Sequence, residues 1–350
     1  MTNEKWLYFC NILLSRLINA GRGQPIIPRR ILCVKWDEMG DMAVSVHVFE
    51  LLKKQFPAAE IHVLCKPAVV GLIANDPHID KILSAIEEWK EPYDLVVELR
   101  GTWKTFWKSL RSKTMPKYRL DRGWIRFRQR KNQPHEVLSN YRIIAPLLGS
   151  GDGFDITNTL TVVQPRLHPS AHDIVLAQDW VADLSQPTFA IIHSGARSAL
   201  RRWAPERFIA LSQWLLAEKN LLPVWIGTPD EEPYIEAMLS AGGSGVKWIA
   251  GNGKSDSLLA LYAFIEKSSL YVGNESGPLQ LADIAGVPLL AIVGPGVPNV
   301  FYPRSLRSRV LHEILECNPC DQIHCVRPND RCIDKISVLQ VKNAVESVLA

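Results

Sequence analysis

Short apolar runs alternate with longer amphipathic stretches along this chain, and the alternation occurs twice. In the first half, Ile31–Lys35, Ile61–Cys65 and Leu95–Glu98 read as strands, while helical periodicity covers Asp41–Gln55 and Glu136–Leu148. A polar stretch carrying Pro and His, 165–172, reads as the connection between halves. Beyond it, 189–193, 223–226, 270–272 and 289–293 are predicted strands. Helices are predicted over 205–216, 231–239, 258–266, 277–285 and 337–349, with Pro205 in a first turn, where its missing N–H costs nothing. Strands alternating with helices imply parallel sheets covered on both faces. The expected architecture is α/β, two Rossmann-like domains in tandem around a cleft, with ligands at the loops that follow strands.

Residues 1–22 precede this pattern as a separate amphipathic helix. Its apolar positions are Trp6, Phe9, Leu13 and Leu17, together with Leu14 and Ile18. Such a helix either packs on the body of the protein or lies on a membrane surface. It is too short in apolar residues to span a bilayer and lacks a convincing cleavage site of a secretory signal, and the balance between the two readings falls slightly to packing. The expected domains are therefore 23–168 and 169–350, consistent with 350 residues being more than one hydrophobic core usually supports.

Composition changes this picture at one place. The net charge of +4 is modest, yet between Arg100 and Lys131 there are twelve Lys or Arg and one acid, Asp121. Trp103, Phe106, Trp107, Trp124 and Phe127 are interleaved with them. The block suits an anionic partner, or it is a solvated basic face. Aromatics among cations favour a phosphorylated glycolipid or a membrane surface, and no motif of a nucleic-acid binder accompanies them.

Four loops carry candidate chemistry. In the first, Gly40 permits a tight strand-to-helix turn and Asp41 opens the helix, where it either caps backbone N–H groups or serves as a general base. In the second, Asn274-Glu275-Ser276-Gly277 again turns a strand into a helix, whose free N–H groups suit a phosphate. The third runs from His193 and Ser194 to Arg201 and Arg202, paired cations that suit a diphosphate or are merely a surface pair. The fourth ends in Asp230 and Glu231, which bind ribose hydroxyls or only decorate a helix start. No Asp-x-Asp pair occurs, so the reading places no metal at the donor and calls for no cofactor.

Taken together, the segment ending Met39-Gly40-Asp41, the Arg201-Arg202-Trp203 segment with Pro205, the Gly227–Glu231 loop and Asn274-Glu275-Ser276-Gly277 with Gly286-Val287-Pro288 resemble the lipopolysaccharide heptosyltransferases of glycosyltransferase family nine. The resemblance implies the GT-B fold and inverting transfer of a sugar, heptose from ADP-heptose, to the lipopolysaccharide inner core. It implies Asp41 as catalytic base. Arg201, Arg202, Ser276, Gly277, Glu275, Gln280 and Ser194 would bind donor and phosphate, and Glu231 ribose. Arg100, Lys104 and His135 would bind the phosphorylated lipid A–core acceptor. The expected location is cytoplasmic, peripheral at the inner face of the membrane. Glu275 replaces the family's usual Asp, Gln280 its His and Arg201 its Lys, which leaves open another nucleotide sugar or a non-catalytic binding role. Cys317, Cys320, Cys325 and Cys332 could together hold a structural zinc.

Overall fold

The computed structural model describes residues 3–20, 27–123, 134–149, 164–250, 257–296, 299–318, 320 and 324–350. They form two compact units, Met1–His168 and Pro169–Ala350. Trp124, Phe127 and Lys131 of the basic block lie outside the described residues.

In the first unit, helix α1 (Asn3–Asn19) precedes β1 (Arg30–Lys35), α2 (Met39–Ala43), α3 (His47–Gln55), β2 (Glu60–Cys65) and α4 (Val70–Ile73). There follow β3 (Lys81–Leu83), β4 (Leu95–Arg100), α5 (Trp103–Leu110), β5 (Tyr118–Asp121) and α6 (Glu136–Ile144). All pairings are parallel, in the order β3-β2-β1-β4-β5. The order reverses between β1 and β4, leaving a crevice at their carboxyl ends.

The second unit contains α7 (Ala171–Ala182), β6 (Phe189–His193), α8 (Pro205–Lys219), β7 (Leu222–Gly227), α9 (Glu232–Ser240), β8 (Val246–Ile249) and α10 (Leu258–Glu266). It continues through β9 (Leu270–Asn274), α11 (Gly277–Ala285), β10 (Leu289–Val293), β11 (Ser308–His312) and α12 (Val338–Leu349). Its sheet is also parallel, in the order β11-β10-β9-β6-β7-β8. The reversal here falls between β6 and β9. Trp203, Phe208 and Trp225 pack on one face of this sheet with Val341 and Val345 of α12. On the other face, Phe264 of the almost wholly buried α10 stacks on Phe189 at 5.1 Å between centroids.

Several elements depart from the sequence reading. The expected single helix over Asp41–Gln55 is two, separated at 44–46, where Ser45 Oγ donates to the Asp41 carbonyl at 2.6 Å and β-branched Val44 and Val46 flank it. The stretch 165–172 is not all connection, because Ser170 and Asp173 cap each other reciprocally and start α7. Helix α5 and strands β3, β5, β8 and β11 were not read, being short or embedded in charged sequence.

Helix α1 does pack, but on a different face from most of its apolar stripe. Leu7, Leu14 and Ile18 are buried against Phe106 of α5, while Trp6, Phe9, Leu13 and Leu17 remain exposed. What fixes the helix is polar. Arg119, fully buried on β5, donates to Ser15 Oγ at 2.6 Å, to Asn11 Oδ1 at 2.5 Å and to Glu98 Oε2 at 2.7 Å. Asn19 exchanges two further bonds with the Arg119 backbone.

Arg119→Ala would leave Glu98 buried without its cation. The expected cost is about 3–5 kcal/mol of stability, measured by urea denaturation. Restoring wild-type stability in that variant alone would show that the knot does not hold the unit.

Candidate active site

At the crevice of the first unit, a charge network lies beneath Asp41. Lys35 ends β1 fully buried, where an ammonium is tolerated only if paired. Its Nζ stands 3.6 Å from Asp37 and 3.5 Å from Glu136 at the start of α6. A register shift at Val34/Lys35 sets Arg100 of β4 opposite Lys35, and Arg100 Nε approaches Asp37 at 3.5 Å. Buried Arg122 closes the group by an ion pair of 2.6 Å with Glu136. Burial by itself would raise the Glu136 carboxyl, but Arg122 and Lys35 hold it down at about 2.

Asp41, half-buried on α2, sits among these charges with the opposite result. Burial pushes its carboxyl up to about 6, Asp37 and Glu136 add to the rise, and Lys35 and Arg100 oppose it. A carboxylate of that affinity, in the first turn of a helix and facing solvent in part, is suited to accept a proton near neutral pH.

The expected acceptor residues fall in different surroundings. Arg100 belongs to the network, and Lys104 is exposed on α5. His135 is buried as the N-cap of α6, its Nδ1 accepting from the Val137 N–H at 3.2 Å. The basic block is less free than its composition suggests. Arg119 and Arg122 are internal, Lys117 pairs with Asp94 at 2.7 Å, and Lys108 donates to the Trp89 carbonyl. Lys104, Arg111, Lys113 and Lys117 are its exposed described cations, the last held by Asp94.

In the second unit the loops after β6, β7 and β9 converge. Buried Asn274 ties them: its Oδ1 accepts from the Trp203 N–H at 3.1 Å and its amide donates to the Ser194 carbonyl at 2.7 Å. Trp203 is itself locked in the core, with Nε1 donating to the Ile336 carbonyl at 2.8 Å. The segment carrying Arg201 is thereby pinned at both ends. Arg201 reaches 3.6 Å from Glu275 Oε1. Arg202 diverges, donating to the Ala196 carbonyl at 3.0 Å and lying over the Tyr234 ring, so the two guanidinium groups do not form one clamp here.

His193, whose own role the sequence left unassigned, bridges two candidate residues. Its Nε2 lies 3.6 Å from Glu231, and its Nδ1 is 3.0 Å from Ser276 Oγ. Glu231 also accepts from the Thr228 N–H at 3.1 Å. Burial opposes ionisation of Glu231, but the His193 and Thr228 contacts outweigh it and hold the carboxyl down at about 2. Because the Ser276 hydroxyl is turned to His193, it does not cap α11, and that helix start keeps N–H groups for an anion. Ser194 is fully buried with a hydroxyl that has no hydrogen-bond partner among the described residues. Gln280 commits its amide N–H to the Phe301 carbonyl at 2.8 Å, leaving Oε1 without a hydrogen-bond partner among the described residues.

Two Rossmann-like units, each with polar chemistry at its switch point, make up the GT-B fold. The chain belongs to glycosyltransferase family 9 (heptosyltransferase), whose family model matches residues 83–329. It is 21% identical over 321 residues to lipopolysaccharide heptosyltransferase 2 of Salmonella typhimurium, covering 81% of this chain and 88% of that protein. Among solved structures, a family 9 glycosyl transferase from Veillonella parvula superposes with a TM-score of 0.73 at 19% identity, over 92% of this chain and 97% of that one. ADP-heptose LPS heptosyltransferase II of E. coli gives 0.70 at 18%, over 91% and 98%.

A Cβ at Gly195 would fall 1.8 Å from Glu231 Oε1, so a side chain fits there only if the Glu231 carboxylate leaves its contacts with His193 and Thr228. Gly195→Ala should therefore displace Glu231 and cost about 1–3 kcal/mol in chemical denaturation. An unchanged midpoint would mean that Glu231 moves aside freely.

Proposed function

We propose that the chain transfers heptose from ADP-heptose to a phosphorylated lipopolysaccharide core, with inversion and without a divalent metal at the donor phosphates. The observation that carries this reading is the Asp41 carboxyl, raised to about 6 within the Lys35–Asp37–Arg100–Glu136 network. Asp41 takes the proton of the acceptor hydroxyl as its oxygen attacks the anomeric carbon. The bond from that carbon to the diphosphate breaks, and ADP leaves. Arg201, Ser276 and the N–H groups at the start of α11 meet the charge that develops on it. Glu231, kept ionised, accepts from ribose hydroxyls. The E. coli relative is described as an ADP-heptose enzyme, and the Salmonella relative as acting on lipopolysaccharide, which supports both substrate assignments.

Asp41→Asn should lower kcat by about 10²–10⁴-fold while keeping the thermal shift that ADP produces in metal-free buffer. In the unsubstituted protein, kcat/KM should fall as pH drops through about 6, because protonation removes the base. Retained turnover in the variant would take Asp41 out of the mechanism. A larger shift with UDP or GDP than with ADP would overturn the donor.

The acceptor is lipid-anchored in this reading, and α1 supplies a means of approach. No helix among the described residues is long and apolar enough to cross a membrane. The exposed Trp6, Phe9, Leu13 and Leu17 lie on a helix that packs against α5, which shows Lys104 and Trp107 to solvent. Apolar side chains beside cations fit the surface of an anionic bilayer, at the inner face of the cytoplasmic membrane. Leu13→Glu with Leu17→Glu should abolish co-flotation with anionic vesicles and leave transfer to a soluble, delipidated acceptor intact. Equal flotation of both proteins would exclude this face.

A further inference from the structure

The segment between β11 and the end of the chain contains a feature that the transfer reaction does not use. Of the seven cysteines, four fall within residues 317–332. From Glu313 to Arg331 the described residues include no helix or strand, and between Val300 and Cys332 none of the described residues is buried. A stretch of that length without a core of its own is held by something other than apolar packing.

The cysteines are placed to do so. Cys317, Cys320, Cys325 and Cys332 all line one cavity, together with His324 and Leu200. Cys317 and Cys320 are electrostatic neighbours of the Cys332 thiol. The separations along the chain, two, four and six residues, allow four sulfurs to meet at one point without crossing of the backbone. Cys332 begins the short turn whose Ile333 and Ile336 belong to the core of the second unit, so one of the four is already anchored.

Another grouping, Asp76, His78 and His168, brings three ligand atoms within 4.8 Å of one another, and among the described residues it is the one that does. There, however, Asp76 Oδ1 is engaged by both the backbone N–H and the ring of His78, at 2.9 Å each, as in an ordinary side-chain-stabilised turn. The thiols stand wider apart than that grouping, and a tetrathiolate site has sulfurs about 3.8 Å apart at its edges. Ligation therefore draws the four sulfurs together about the ion.

We propose that Cys317, Cys320, Cys325 and Cys332 bind one thiophilic metal ion, zinc or iron, in a structural tetrathiolate site. The ion fixes the loop against the donor half of the molecule. The loop touches Leu200, and Arg331 donates to the Ala199 carbonyl at 3.4 Å, so it backs the turn Ala199–Arg201 that presents Arg201. Each thiol loses its proton on ligation and no electron is transferred, so the proposal needs no oxidant.

Elemental analysis of the full-length protein, purified under reducing conditions and passed over a chelating resin, tests it. About one equivalent of metal per chain is expected, with thiolate-to-metal absorption in the visible if the ion is iron and none if it is zinc. A mercurial reagent should release the ion stoichiometrically, and Cys325→Ser should lower the content and the melting temperature together. If that variant does not fold, mercurial release from the unsubstituted protein stands as the test. Four thiols that react fully with a disulfide reagent while no stoichiometric metal is found would overturn the site. So would two disulfides seen by mass spectrometry in protein purified without reductant.

Discussion

A fully buried lysine ammonium at the end of a central strand is costly unless anions surround it. Lys35 is therefore the constraint from which the chemistry of the first unit follows. It draws Asp37 and Glu136 to it, and Glu136 in turn holds Arg122, while Arg100 is aligned by the register shift on β4. Burial is the largest influence on Asp41; Lys35 opposes it, and the Asp37 and Glu136 carboxylates add to the rise. The same network thus pulls Glu136 down to about 2 and lets Asp41 rise to about 6. Two carboxyl groups in one crevice acquire opposite proton affinities from one set of charges.

The second unit solves a different problem with neutral groups. An anionic ligand is served by open N–H groups at a helix start, which requires that no side chain close them. Ser276 leaves α11 uncapped because its hydroxyl belongs to His193, and His193 is fixed in turn beside Glu231. Asn274 supplies rigidity, binding the loops after β6 and β9 to the Trp203 segment by its donor and its acceptor together. Arg201 is consequently carried on a loop with little freedom, and its contact with Glu275 sets its orientation.

The basic, aromatic block shows how composition and structure diverge. Its twelve cations describe a potential partner only if they face solvent. Arg119 and Arg122 are spent inside, one locking α1 to the sheet and the other closing the Asp41 network. Helix α1 likewise splits its apolar residues between two duties. Leu7, Leu14 and Ile18 make the core contact, and the stripe of Trp6, Phe9, Leu13 and Leu17 is left over.

The alternation of elements and the α/β class were legible in the sequence, because a strand buried on both faces must be apolar and a helix must repeat every three or four residues. The loops after strands were legible for the same reason, since Gly40 and Gly277 mark where a strand turns into a helix. Caps were readable in principle, as Ser170 with Asp173 shows, although the polar residues around them disguised a helix start as a linker. Which charges are buried was not legible. Lys35, Glu98, Arg119, Arg122 and Glu136 look like surface residues one at a time, and only the parallel packing of strands far apart in sequence encloses them together. Asp41 is the same case. Its position at a helix start is local information, but its proton affinity is the sum of fields from residues up to Glu136. Those fields exist only once the tertiary structure has brought the charges within reach and removed the water between them.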